Sequence, residues 1–146
     1  MIDNRTAPYA ALVLRVALGV MFLAHSIVLK LFVFTLAGNA QFFASIGLPA
    51  ALGYVVFFVE AAAGAALVLG VHSRETAAIT VPILLGATWA HAGNGWMFAM
   101  ANGGWEYPLF LAAAAVAVAL LGDGAHALAP SRGELPFGRP LVARAA

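Results

Sequence analysis

The sequence predicts an all-α membrane protein, a four-transmembrane-helix bundle with a short interfacial segment between helices 1 and 2. Of its 146 residues, 64% are hydrophobic and only 9% are charged, whereas a soluble domain is about half apolar and about a quarter charged. Four stretches also approach the roughly 20 apolar residues that cross a hydrocarbon core of about 30 Å. Together these observations exclude a water-soluble globular domain.

The four predicted spans are residues 9–36, 49–71, 76–100 and 108–121. The first is interrupted by Arg15 and Lys30, and the fourth is short enough that it must fit the bilayer tightly. Between the first two spans, residues 38–49 are polar and glycine-bearing, which predicts a short helix lying at the membrane surface. The turn of residues 72–75 is so short that the second and third helices must be antiparallel neighbours.

Basic residues set the predicted orientation. Lys30 stands alone on one side, and the side that carries both termini holds the arginines Arg5, Arg74, Arg132, Arg139 and Arg144. The positive-inside rule then places both termini of this multi-pass membrane protein in the cytoplasm. We divide the chain into a membrane domain, residues 1–128, and a cytoplasmic tail, residues 129–146.

The net charge and the cysteine content limit the classes of partner and cofactor that this chain can bind. A formal net charge of +1 without a basic stripe argues against nucleic acid. The absence of cysteine excludes disulfides, thiolate metal sites and thiol redox relays. The lipid bilayer is the predicted surrounding, and a protein partner in a redox complex and a homo-oligomer are both compatible with the sequence.

Ionisable residues inside the predicted spans each need a partner or a purpose. Glu60 lies at the middle of the second span, and Arg15 lies in the first. We predict that they pair or share a bound polar group, and we take both as candidate catalytic residues. A structural ion pair that serves only helix packing is the alternative.

Five further residues converge on the outer side as a predicted ligand-binding mouth. Helical spacing places His25 on the same face of the first helix as Arg15, and His91 lies at a similar depth in the third helix. These histidines are predicted to face a common cavity and to bind a quinone or a similar ligand. Ligation of a haem or metal is a weaker alternative. The complete predicted set is His25, His91, Lys30, Trp105 and Glu106.

Several motifs, in order, resemble the DoxX family (DoxX/DoxD-like) of bacterial inner-membrane proteins. They are RVALGVMFLAHSIVLK, FFASIGLP, FFVEAAAGAALVLGVHSRETA, GGWEYPLFLAAAAVAVALL and GDGAHAL. The resemblance implies a four-helix membrane bundle associated with oxidoreductases. It places the family's characteristic polar positions at Arg15, Lys30, Glu60, Arg74, Trp105 and Glu106.

Three functions follow as hypotheses. The first is a quinone-linked oxidoreductase subunit whose bundle binds the quinone while a partner supplies electrons, because the sequence shows no cysteine and no dinucleotide fingerprint. The second is a non-enzymatic membrane anchor or scaffold for a partner complex. A proton or small-solute carrier is less favoured, since the sequence shows no inverted repeat.

Overall fold

The computed structural model describes residues 3–132, and within this range the fold is all-helical, as predicted. Five α-helices follow one another along the described chain: α1 Ala7–Leu23, α2 Leu36–Ser45, α3 Ala51–Leu69, α4 Ser73–His91 and α5 Glu106–Leu121. By length and composition, the two helical segments Ala7–Val33 and Ala51–Leu69 can cross a membrane, and α5 is apolar but shorter.

The first helical segment changes its hydrogen-bonding pattern midway. α1 continues without interruption into a π-helix, Ala24–Val33, whose bonds run from each residue to the fifth one before it. The chain then turns at Thr35, whose φ is 64°. Its hydroxyl accepts a hydrogen bond from the Gly38 backbone N–H at 3.1 Å and so caps the start of α2. This helix lies where the sequence predicts a short helix between the first two spans.

Paired glycines bring α1 and α3 into backbone contact. A Cβ atom added at Gly19 would lie 2.8 Å from the carbonyl oxygen of Gly64, and one added at Gly64 would lie 2.9 Å from that of Gly19. Only glycine allows this approach, which is the usual way in which small residues join helices in a membrane.

A small apolar core joins α1, α3, α4 and α5. Its buried residues are Leu18, Phe22, Leu67, Ala77, Leu84, Ala112, Ala115 and Val118. Many large apolar side chains point outward instead, among them Val13, Phe32, Phe58 and Phe110, which are 68%, 73%, 63% and 69% exposed. Soluble monomers rarely expose apolar surface so widely, and this distribution suits a lipid surrounding.

The third predicted span is too long by nine residues. α4 ends at His91 rather than at Met100, and a single 3₁₀ turn, Ala92–Asn94, follows it. The helix ends there because Gly93, Asn94 and Gly95 favour turns, and Gly95 adopts a φ of 86°.

The chain that follows α5 crosses the end of the bundle. Within residues 122–132, the Ala125 N–H donates to the Pro8 carbonyl at 2.9 Å, and the Ala129 carbonyl accepts from the His72 N–H at 2.8 Å. The segment thus ties the start of α1 to the turn between α3 and α4. Our division at residue 128 stays a prediction, because most of the proposed tail lies outside the described residues.

Asp123 holds this segment in place. Its carboxylate accepts hydrogen bonds from the backbone N–H groups of Ser73 and Ser131, at 2.9 and 2.8 Å, and from the Ser131 hydroxyl at 2.9 Å. Burial raises the pKa of Asp123, but the hydrogen bonds from Ser131 and Ser73 outweigh it and lower the pKa below the ordinary 3.8. Because Ser73 begins α4, the carboxylate also lies at the positive end of that helix dipole.

Replacing Asp123 with asparagine is expected to lower the free energy of unfolding at neutral pH by about 1–2 kcal/mol. Since folding lowers the pKa of Asp123, its contribution is complete above the unfolded pKa and is lost as the pH falls through the folded one. The difference from wild type, measured by denaturant unfolding in detergent, should therefore shrink below pH 3.8. Asp3→Asn is the control at an exposed carboxylate, and a difference that grows in acid would contradict the assignment.

Candidate functional site

An ion pair joins the π-helix to the middle of α3. Lys30 Nζ lies 2.5 Å from Glu60 Oε2, and the two side chains are 18% and 9% exposed. Glu60 therefore has a cationic partner, as its position in an apolar helix requires. That partner is Lys30, so the predicted pair of Arg15 with Glu60 is wrong.

Arg15 binds the end of α3 instead. Its guanidinium is fully buried and donates to the carbonyls of Leu67, Val68 and Ala125, at 2.7, 3.2 and 3.2 Å. Glu60 lies seven residues before Leu67, about 10 Å away along the helix axis. α1 and α3 run antiparallel, so the early residues of α1 lie beside the last turn of α3. There the free carbonyls and the negative end of the helix dipole accept a cation.

Arg74 repeats this arrangement at the end of α5. Its Nη1 donates to the carbonyls of Ala119 and Leu120, each at 3.1 Å. Glycines with positive φ follow both capped helices, Gly70 at 73° and Gly122 at 88°. A Cβ atom added at either glycine would lie about 2.5–2.6 Å from a guanidinium nitrogen. A larger residue at these positions would therefore displace the arginine side chain. Both arginines thus act as helix C-caps.

At the opposite end of the bundle, a cavity of about 790 Å³ opens between the first helical segment and α5. We call it the His25 cavity. It is lined by Met21, His25, Leu29, Trp96, Phe98, Glu106, Tyr107, Leu109, Phe110 and Ala113. Its walls are thus mainly apolar and aromatic, with a few polar groups, which is the usual character of a small-molecule site.

The polar groups of the His25 cavity offer both hydrogen-bond donors and acceptors. The rings of His25 and Tyr107 stack with centroids 5.5 Å apart. His25 Nδ1 lies 2.8 Å from the Met21 carbonyl oxygen. A carbonyl can only accept, so Nδ1 carries the proton, and in the neutral ring Nε2 is left as an acceptor. The Tyr107 hydroxyl is buried without a partner among the described residues, and Glu106 Oε1 accepts from the Phe98 N–H at 2.8 Å.

The residues predicted to form one ligand-binding mouth do not all lie in one place. His25 and Glu106 line one cavity, and Trp105 packs edge-on against Trp96 of its wall, with centroids 4.5 Å apart. His91 instead stacks on Phe42 of α2, with centroids 6.3 Å apart. The expected common cavity for the two histidines is therefore wrong, because the His91 ring packs on Phe42 and is not among the residues that line the His25 cavity.

The separation also bears on the haem and metal alternative. His25 stacks on Tyr107 and His91 stacks on Phe42, and ligation of a haem by the two histidines stays a prediction. Within residues 3–132, no group of three or more His, Cys, Asp or Glu side chains is arranged to hold a metal ion.

Comparison with known proteins identifies the family. The sequence profile of the DoxX family matches residues 10–93, more than half of the chain. The chain belongs to the DoxX family. A protein of Bacillus subtilis (strain 168), named Putative oxidoreductase CatD, is 33% identical over 84 residues, which are 58% of this chain and 60% of that relative. The match thus spans less than two thirds of the relative's length. No solved structure matches the chain.

Membership in DoxX confirms the family that the motifs resemble. DoxX proteins are membrane-associated and are often linked to oxidoreductase function. The matched region contains Arg15, His25, Lys30 and Glu60, and it ends before α5. The α5 wall of the His25 cavity, with Glu106, therefore lies outside the DoxX match.

Sequence reasoning missed Tyr107 and Phe98 as lining residues, and it favoured Trp96 as an aromatic residue of the membrane interface over a lining residue. Tyr107 and Trp96 were interpretable as aromatic residues at headgroup depth, which is a role that needs no ligand. The signal that could have revealed Tyr107 is its place beside Glu106 in the first turn of an apolar helix.

Proposed function

We propose that this DoxX-family chain is an integral inner-membrane subunit of a redox system and binds a quinone in the His25 cavity. A partner oxidoreductase supplies or removes the electrons. The observation that carries the proposal is that one apolar cavity contains the stacked His25–Tyr107 pair and that the Tyr107 hydroxyl has no partner among residues 3–132.

The groups of the cavity match both forms of a quinone. A quinone ring carries two carbonyl oxygens, which need donors, and the Tyr107 hydroxyl is such a donor. A quinol carries two hydroxyl groups, which need acceptors, and His25 Nε2 and the Glu106 carboxylate can accept them. Oxidation of a quinol releases two electrons and two protons. His25 takes one proton and Glu106 the other, and the electrons pass to the partner protein.

We assign Lys30, Glu60 and Arg15 to the framework of the bundle. Lys30 and Glu60 pair with each other and Arg15 binds the end of α3, and none of the three is among the residues that line the His25 cavity. The same observation favours a second candidate function, a non-enzymatic membrane anchor or scaffold, in which the charged residues only fix helix packing.

Replacing His25 with phenylalanine should remove co-purifying quinone, because the change keeps a ring beside Tyr107 and deletes the acceptor nitrogen. His91→Phe is the matched control, since its ring packs on Phe42 outside the cavity. Quinone is measured by solvent extraction and mass spectrometry per mole of purified protein, with the melting temperature as a check of folding. Equal quinone content in the two variants would contradict the assignment, and absence of quinone from wild type would favour the anchor.

We further propose that α1 with its π-helix, α3, α4 and α5 span the membrane, with both termini in the cytoplasm. The arginines at the ends of α3 and α5 then lie on the cytoplasmic side, as the positive-inside rule requires. A phosphatase that is active only in the periplasm should be inactive when fused after Ala146. The same enzyme inserted after Ala101, in the connection between α4 and α5, should be active. An active fusion at Ala146 would contradict this topology.

A further inference from the structure

A second cavity continues the His25 cavity toward the middle of the bundle. It has a volume of about 250 Å³ and lies between α1 and α5. We call it the Ala114 cavity, and its lining is entirely apolar apart from Tyr107. The two cavities share the wall residues Met21, Tyr107 and Phe110, so they adjoin each other, and we call them the outer and the inner part of the interhelical site.

The polarity of this space changes along its length. His25 and Glu106 lie only in the outer part. The inner part meets α1 at Leu14, Ala17, Leu18 and Met21. From Leu14 to Met21 the wall extends about 10 Å along the helix. A ligand that fills both parts must therefore be polar at one end and apolar for a considerable length beyond it.

Tyr107 marks the boundary between the two parts. Its ring contributes to both walls, and its hydroxyl is buried without a partner among residues 3–132. Buried hydroxyl groups in proteins are nearly always hydrogen-bonded, so an unpaired one at this boundary points to an acceptor on a bound molecule.

We propose that the ligand is a prenylated quinone, with its ring in the His25 cavity and the first part of its prenyl chain in the Ala114 cavity. This inference rests on the proposed function and adds the binding of the chain. The Tyr107 hydroxyl donates to the ring carbonyl nearest the chain. The chain follows α1 and α5 inward because the wall there offers apolar contacts and no hydrogen-bonding group other than Tyr107.

The test compares two probes on the purified full-length chain in detergent: the ubiquinone ring without a chain and the same ring with two prenyl units. Trp96 lines the His25 cavity, so quenching of tryptophan fluorescence reports binding. Wild type should bind the prenylated probe at least about ten-fold more tightly than the bare ring.

Filling the inner part should remove this preference. Ala114→Phe places an aromatic ring in the Ala114 cavity. It should lower the affinity for the prenylated probe by about ten-fold and change the affinity for the bare ring by less than about two-fold. Ala65→Phe, on the exposed face of α3, is the control for added bulk. If Ala114→Phe does not fold, Ala17→Leu narrows the same cavity from the opposite wall.

The outcomes separate the two proposals. Equal affinity of wild type for both probes, or equal weakening of both by Ala114→Phe, would overturn the chain site and leave the proposed function standing. If excess phospholipid displaces the prenylated probe but not the bare ring, the Ala114 cavity binds an acyl chain. That result would also overturn the proposed prenyl-chain site. Failure of both probes to bind would refute the proposed function itself.

Discussion

Replacing Glu60 with alanine is expected to destabilise the protein by about 3–5 kcal/mol. The change leaves the Lys30 ammonium, whose side chain is only 18% exposed, without its carboxylate. A buried charge that loses its partner keeps its full desolvation cost, so removal of one partner costs more than the pair contributes. The measurement is the midpoint of denaturant unfolding in detergent, followed by circular dichroism.

The double variant Lys30→Leu with Glu60→Leu is the control for this prediction. Because it removes both charges and keeps apolar side chains of similar size, most of the lost stability should return. Adding Arg15→Leu to Glu60→Ala should instead give an additive loss, since Arg15 and Glu60 contact different groups. Strong coupling between Arg15 and Glu60, or a double variant less stable than Glu60→Ala, would contradict the assigned pair.

Arg15→Leu is expected to be the second severe variant and to lower the free energy of unfolding by more than about 3 kcal/mol. Each buried acceptor that is left without a donor costs about 1–3 kcal/mol. It removes a fully buried guanidinium that binds three carbonyl oxygens from two segments of the chain. Arg15→Lys should restore only part of this loss, because a single ammonium cannot reproduce the planar fork of donors.

Arg74→Leu serves as the matched variant. Arg74 caps α5 through two carbonyls but is only partly buried, and one of its two bonds is exposed to the surroundings. In the variant, water can bind part of the carbonyl surface that Arg74 leaves free, so the free energy of unfolding should fall by only about 1–2 kcal/mol. A loss for Arg15→Leu no larger than that for Arg74→Leu would show that the buried cap does not stabilise the end of α3.

The helices were largely predictable from sequence, because long apolar runs and their turn residues are local signals. The α3 span, the short helix α2 and the end of α5 at Leu121 follow from such patterns. The partner of Glu60 was not predictable in this way. Arg15 and Lys30 are both cations of the first segment, and the choice between them depends on how far α1 extends along α3, which the register of the helices decides.

The candidate site was predictable only in part for a similar reason. His25 and Glu106 line one cavity, because the later part of the first helical segment and the start of α5 lie at the same end of the bundle. His91 has the same apparent depth, but its direction depends on where α2 packs, and α2 places Phe42 against it. The π-helix is also not evident from the pattern of residues 24–33, since its wider turn depends on tertiary contacts rather than on propensity.

The central claim is that the His25 cavity holds a quinone, and extraction of bound lipids from the purified wild-type protein tests it most directly. Mass spectrometry of the extract should find a prenylated quinone in close to a one-to-one ratio with the protein. The same preparation of His25→Phe should contain little of it. If wild type carries no more quinone than an unrelated membrane protein purified from the same membranes in the same detergent, the account is contradicted.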